Sequence, residues 1–143
     1  MIALDTDVVS ELLRPAPARQ VEAWLSAQDG AMVYFTAEGE AELRHGVAIL
    51  PAGRRRNARS GVIEGVLEED FRDRVLPFDR AAARAYAAIA AERRAAGRPI
   101  SQIDCQIAAI ARAHEAAVAT CYTGDYKGCG IDVIDPWRQS ASR

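Results

Sequence analysis

Short apolar runs alternate with amphipathic helical segments along the chain, and no other feature narrows the choice of fold as much. Met1 to Leu4 is apolar and of strand length, and from Thr6 onward Val8, Val9, Leu12 and Leu13 recur at helical spacing. Residues 18–28 repeat that spacing at Val21, Trp24 and Leu25, and "AMVYFT" (31–36) reads as a second buried strand. A helix from about Glu38 carries Leu43, Val47 and Leu50 on one face and stops at "PAG". Another spans 54–71 with Val62, Ile63, Val66 and Leu67 inward. "RVLPF" (74–78) is strand-like, Ala-rich 80–96 is helical and ends at "GRP", and Ser101 caps a helix over 101–116. "AVAT" (117–120) and "IDVI" (131–134) supply the last two strands.

Strands separated by helices require right-handed crossovers, which place helices on both faces of a mainly parallel sheet. The expected class is therefore α/β, a three-layer α/β/α sandwich. With 143 residues, half of them hydrophobic, the chain suits one domain with a single core. That domain is expected over 1–137, with "RQSASR" (138–143) as a disordered tail.

Composition removes several functional classes. The formal charge is -2, from 18 basic and 20 acidic residues, so total charge does not mark a nucleic-acid binder. Asp5 and Asp7 interrupt the only apolar N-terminus, and no apolar run approaches the ~18 residues of a membrane span. A cytoplasmic protein without membrane attachment is expected. Cys105, Cys121 and Cys129 lack the C-x-x-C spacing of a zinc site and are odd in number. Every basic residue except Lys127 is arginine, clustered in "GRRRNARS" (53–60) and "AERRAAGR" (91–98). Such clusters pair with phosphate or simply solvate a helix face, and the sequence leaves both readings open.

Asp5 ends the first apolar run, where ligands of open α/β sheets bind beyond the carboxyl ends of strands. Alternatively, Asp5 or Thr6 merely caps the following helix. Glu42 lies in the helix after the second strand, Asp104 one turn into the helix opened by Ser101, and Asp125 just after "AVAT". A parallel sheet gathers those positions at one edge, where four carboxylates would repel one another unless a cation neutralised them. Hard oxygen donors without a nearby histidine suit Mg²⁺ or Mn²⁺, and such a site points to phosphate-ester chemistry. His45 and His114 occupy ordinary helical positions and read as surface residues.

"LDTDVVSELLRP" resembles the opening "LDTNVVSEL" of the VapC-type toxins of the PIN-domain ribonuclease family, in their FitB-like subgroup. "EAELRHGVAILPAGRRR", "VLPFDRAAARAYAAIAAERRAAGRPISQIDCQIAAIA" and "GCGIDVIDPW" resemble later blocks of the same family, in order, up to Trp137. The resemblance implies the α/β/α PIN fold and the toxin of a type II toxin–antitoxin system, a Mg²⁺-dependent endoribonuclease. It further implies a homodimer held inactive by a VapB-type antitoxin, which also supplies any contact with operator DNA. Matched residue by residue, the acidic set falls on Asp5, Glu42, Asp104 and Asp125, as catalytic residues and as metal ligands.

The chain departs from the family at Asp7, where Asn or Ser is usual, and at Gly39, where Thr is usual. "TCYTGDY" stands for "T-R-N-x-x-D-F", so Cys121 and Tyr122 replace a basic and a polar residue. Two other readings remain open. "IALDTDVV" also fits a haloacid-dehalogenase-type phosphatase with Asp5 as nucleophile, Asp7 as acid and Thr36 as hydroxyl, although Lys127 follows rather than precedes the last acid. A degenerate PIN domain acting only as a binding module is the third.

Overall fold

The computed structural model describes residues 1–139, so the part of the expected disordered tail from 140 onward lies outside the described residues. Five short strands and six helices alternate: β1 (Ile2–Leu4), α1 (Thr6–Leu12), α2 (Arg19–Ser26), β2 (Val33–Thr36), α3 (Ala37–Ala48), α4 (Arg54–Gly65), β3 (Val75–Leu76), α5 (Arg80–Ala95), α6 (Gln102–Ala113), β4 (Ala117–Ala119) and β5 (Val133–Ile134). All strand pairs are parallel, in the order β3-β2-β1-β4-β5. The expected α/β/α class is what forms.

Side chains alternate across the pleat, so each strand feeds both faces of the sheet. Leu4, Phe35 and Ala119 join Val8, Val9, Val21, Trp24, Leu43, Ile63 and Leu67 in one core layer. Val118 and Leu76 join Ile89, Ile107 and Ile110 beneath α5 and α6 in the other. Five residues of α6 between Ile107 and Ala111 are buried in succession, which fixes that helix, and with it Asp104 in its first turn, against the sheet.

Local chemistry shifts several boundaries. The strand expected over 31–36 begins only at Val33, because Gly30–Met32 forms a 3₁₀ turn capped by the Asp29 carboxylate. "RVLPF" contributes only Val75 and Leu76 to the sheet, since Pro77 has no N–H to donate. The helix expected over 54–71 ends at Gly65 and continues as a π-helical turn, Val66–Asp70. Ile63, Leu67 and Phe71 are all buried at intervals of four, a spacing that precesses around a 3.6-residue helix. The widened turn keeps them on one side. Val62, expected inward, is instead 52% exposed.

Candidate functional site

In the order β3-β2-β1-β4-β5 the sheet reverses direction of growth between β1 and β4, and a crevice opens there beyond the strands' carboxyl ends. Asp5 follows β1 and Thr120 follows β4, and they meet across that switch point. The Thr120 hydroxyl donates to Asp5 Oδ2 at 2.9 Å, and the Thr6 N–H donates to Asp5 Oδ1 at 2.9 Å. Asp5 therefore caps α1 and faces the crevice at once, so its two sequence readings are not exclusive.

Only 7% of Asp5 is exposed. Burial first, and then the neighbouring Asp7 carboxylate, push its pKa up to about 6, against hydrogen bonds from Thr120, Thr6 and Tyr126 that favour the charged form. Asp7 Oδ2 accepts from the Cys121 N–H at 2.8 Å, while Asp7 Oδ1 is buried with no hydrogen-bond partner. Two carboxylates thus stand together, one of them with an oxygen left unsatisfied.

Asp104 enters from the first turn of α6, whose N-cap Ser101 accepts from the Asp104 N–H at 3.2 Å. Its Oδ1 accepts from the hydroxyl of Tyr126 at 3.4 Å, and the same hydroxyl lies near the Asp5 carboxylate. Tyr126 is 1% exposed. Burial and the charges of Asp5 and Asp104 drive its pKa far above the ordinary phenol value, so it remains a donor. Glu42, exposed on α3, is joined to the cluster through the Thr6 hydroxyl, which donates to its Oε1 at 2.7 Å.

Asp125 stands apart. Its backbone belongs to the 3₁₀ turn Thr123–Tyr126, it is exposed, and among the described residues its carboxylate forms no hydrogen bond or ion pair. What is held is its main chain: Arg93, buried on α5, donates to the carbonyls of Asp125 at 3.1 Å and Arg98 at 2.7 Å, and to that of Lys127. The structure therefore unites Asp5, Asp104 and Glu42 through hydroxyl links and leaves Asp125 at the rim.

Thr120, Tyr126 and Arg93 are the neighbours of the acidic set that pattern reading passes over. Asp7 carries a signal, since it stands where the family usually has Asn or Ser. Arg93 lies hidden in an arginine cluster whose other members are exposed. Gly39 has a plain steric cause: a Cβ there would meet the Phe35 ring at 2.4 Å. The side chains of Cys121 and Tyr122 are exposed. Desolvation, then the hydrogen bond with Asp7, push the Cys121 thiol up to about 12, so no thiolate nucleophile forms.

Among the described residues no salt bridge reaches Asp5, Asp7, Glu42 or Asp104, and no group of three or more His, Cys, Asp or Glu forms a ready-made metal cage. The four-carboxylate cage expected from sequence is thus not closed by protein atoms alone. Mg²⁺ does not need such a cage, because it keeps several waters and commonly binds one or two carboxylates. The buried Asp5, repelled by Asp7, and the orphaned Asp7 oxygen fit a cation better than they fit an empty polar pocket.

Phosphatase geometry is not met. Thr36 is fully buried and caps α3, with its hydroxyl accepting from the Gly39 N–H at 3.0 Å, and Lys127 is exposed. Fold and site together define a three-layer α/β/α protein with an acidic centre at the switch point of a parallel sheet. The sequence matches the PIN domain family over residues 2–122. It is 44% identical over 137 residues to the VapC ribonuclease Y4jK of Sinorhizobium fredii, covering 96% of this chain and 98% of that one. It is 41% identical to the toxin FitB of Neisseria gonorrhoeae, covering 96% and 99%. A solved structure of FitAB bound to an IR36 DNA fragment superposes with a TM-score of 0.92 at 38% identity, over 100% of both chains. The chain belongs to the PIN-domain family, among its VapC- and FitB-type members.

Proposed function

We propose that the protein is the toxin of a type II toxin–antitoxin pair and a divalent-metal-dependent endoribonuclease that hydrolyses RNA phosphodiester bonds in the cytoplasm. The observation that carries the chemistry is the buried Asp5 beside Asp7 at the switch point, with Asp104 held by Tyr126 next to it. Asp5, Asp104 and Glu42 would hold the cation, with Asp125 acting through water. Mg²⁺, or Mn²⁺ in its place, supplies charge neutralisation at the scissile phosphate and a more acidic water.

The chain's own groups do the positioning. Thr120 and the Thr6 N–H fix both oxygens of Asp5, and the Tyr126 hydroxyl orients Asp104. The Thr6 hydroxyl turns Glu42 toward the crevice, and Arg93 anchors the turn that carries Asp125 and Tyr126.

The proposed partner is a VapB-type antitoxin, as the names of the relatives and the FitAB complex suggest. Val9, Leu12, Leu13, Leu25, Val33 and Phe71 line a mainly apolar groove of about 420 Å³, suited to an amphipathic helix. A toxin homodimer is expected, with operator DNA contacted by the antitoxin alone.

Induction in bacteria with and without the neighbouring open reading frame tests the pairing, and the purified chain with RNA, in Mg²⁺ or in EDTA, tests the chemistry. Growth arrest relieved by the neighbour, and cleavage abolished by EDTA, are expected. A chain that binds its antitoxin but leaves every RNA intact in Mg²⁺ and Mn²⁺ acts only as a binding module and overturns the enzymatic reading.

A further inference from the structure

A groove of about 360 Å³ runs away from the acidic centre between α1, α3 and α4. Thr6 and Glu42 stand at the end shared with the site, Leu43, Val47, Leu50 and Ile63 contribute apolar lining, and Arg55 and Arg59 line its α4 side. The two arginines are one helical turn apart, so they share one face of α4. Residues 54–63 hold four arginines and no acid.

On the neighbouring helix α3 the one arginine is neutralised by acids. Arg44 binds Glu40 at 2.7 Å, Glu64, and Glu68 at 3.7 Å. Among the described residues Arg55 and Arg59 form no ion pair, and both are exposed. In a chain of net charge -2, a pair of uncompensated guanidiniums beside an apolar groove that ends at a carboxylate site is a local reversal of sign.

We propose that this groove is a nucleotide subsite for single-stranded RNA: Arg55 and Arg59 hold the backbone phosphate adjoining the scissile one, and the attached base lies on Leu43, Val47 and Ile63. The inference rests on the ribonuclease reading and adds to it the part of the substrate next to the cut. Guanidinium matches phosphate bidentately, and an apolar wall accepts any base by its flat face, so the subsite favours unpaired RNA without reading its sequence. A duplex cannot enter, because its bases are stacked inward.

The test uses the full chain and the double variant Arg55→Gln/Arg59→Gln. Arg80→Gln/Arg84→Gln, which removes two exposed arginines one turn apart on α5, is the matched control. Binding of a fluorescein-labelled single-stranded RNA is followed by anisotropy in EDTA, where nothing is cut, across a salt series. The α4 variant should bind on the order of tenfold more weakly, and the slope of log K against log salt should fall by about 0.7, for the one phosphate no longer neutralised. Arg80→Gln/Arg84→Gln should leave both unchanged. In Mg²⁺ the α4 variant should raise KM for a ten-nucleotide RNA and spare kcat, and should leave cleavage of a dinucleotide, which has no adjoining phosphate, as it was.

Equal losses from both double variants would mean diffuse attraction and overturn the subsite, as would an unchanged α4 variant in a parent that cuts RNA. Loss of antitoxin binding with RNA affinity intact would also overturn it, assigning the groove to the partner. A parent that neither binds nor cuts RNA would remove the ribonuclease reading itself. Because both substituted side chains are exposed, an unchanged melting temperature verifies that folding is not the cause.

Discussion

The two sides of the acidic crevice are built differently. On the side of Asp5 the polar atoms are largely answered by neighbours: Thr6 and Thr120 on Asp5, Tyr126 on Asp104, Cys121 on one oxygen of Asp7. The second Asp7 oxygen is buried and left without a partner. On the side of Asp125 only the main chain is held, by Arg93, and the carboxylate is exposed to solvent. Preorganised groups contribute to chemistry because their orientation is fixed before substrate arrives, whereas a free side chain must be ordered at a cost in rotamer entropy. In the proposed function the chemistry therefore falls on the buried side.

The largest effect should come from Asp104→Asn. It removes a charge while keeping shape, so Mg²⁺-dependent RNA cleavage should fall by at least about a hundredfold with the melting temperature unchanged. Mn²⁺ calorimetry should show the matching loss of affinity. Wild-type cleavage in this variant would dissolve the distinction between the two sides.

Asp5 sharpens the comparison through pH. Its folded pKa of about 6 lies above the unfolded 3.8, so the native state binds the extra proton between those values. Stability of the metal-free protein should then fall as pH rises from about 4 to about 6, and level off above. Asp5→Asn removes that dependence and remains a good helix cap. It should be as stable as the parent near pH 4 and more stable at pH 7, by up to about 3 kcal/mol, since one pKa unit corresponds to about 1.4 kcal/mol. Urea titrations at both pH values, in EDTA, measure it. Mg²⁺ should raise the stability of the parent and not of the variant.

How much of this is legible in the sequence follows from the kind of interaction involved. Alternation of apolar runs specifies the layers, and Asp5, Glu42 and Asp104 stand out because strand ends and first helical turns converge at one edge of any parallel sheet. Thr120 and Tyr126 carry no such signal: a hydroxyl becomes part of a site only through a contact 115 or 22 residues away in sequence. The π-helical turn at Val66–Asp70 escapes because periodicity reports which residues are inward, not how the backbone winds to bring them there. Asp125 is matched by motif, and a motif fixes the position of a backbone without fixing the reach of its side chain.

Arg93→Met tests the main-chain anchor on the weaker side. Losing the guanidinium leaves the carbonyls of Arg98, Asp125 and Lys127 without this donor, which should cost about 1–3 kcal/mol in stability. Hydrogen exchange should rise first over residues 123–129, and cleavage should fall severalfold because Tyr126 lies in the same turn. Loss spread evenly over the whole chain would contradict a local anchor.

The smallest effect should be that of Asp125→Asn. The carboxylate contacts no other member of the acidic set among the described residues, and the parts of the turn that Arg93 grips are carbonyls, which the substitution keeps. Stability should therefore change by no more than about 0.5 kcal/mol, as for other exposed side chains. A role through water alters how one solvent molecule is held and not how the cation is bound, so Mn²⁺ affinity should stay within about threefold and cleavage within about tenfold of the parent. Measured beside Asp104→Asn in one Mn²⁺ titration and one RNA assay, the two substitutions remove the same charge from opposite sides of the crevice. A loss of metal affinity as large for Asp125→Asn as for Asp104→Asn would mean that the 3₁₀ turn carries the carboxylate inward when the cation arrives. The free side of the crevice would then be the part that moves, and the freedom of its side chain the condition for that movement.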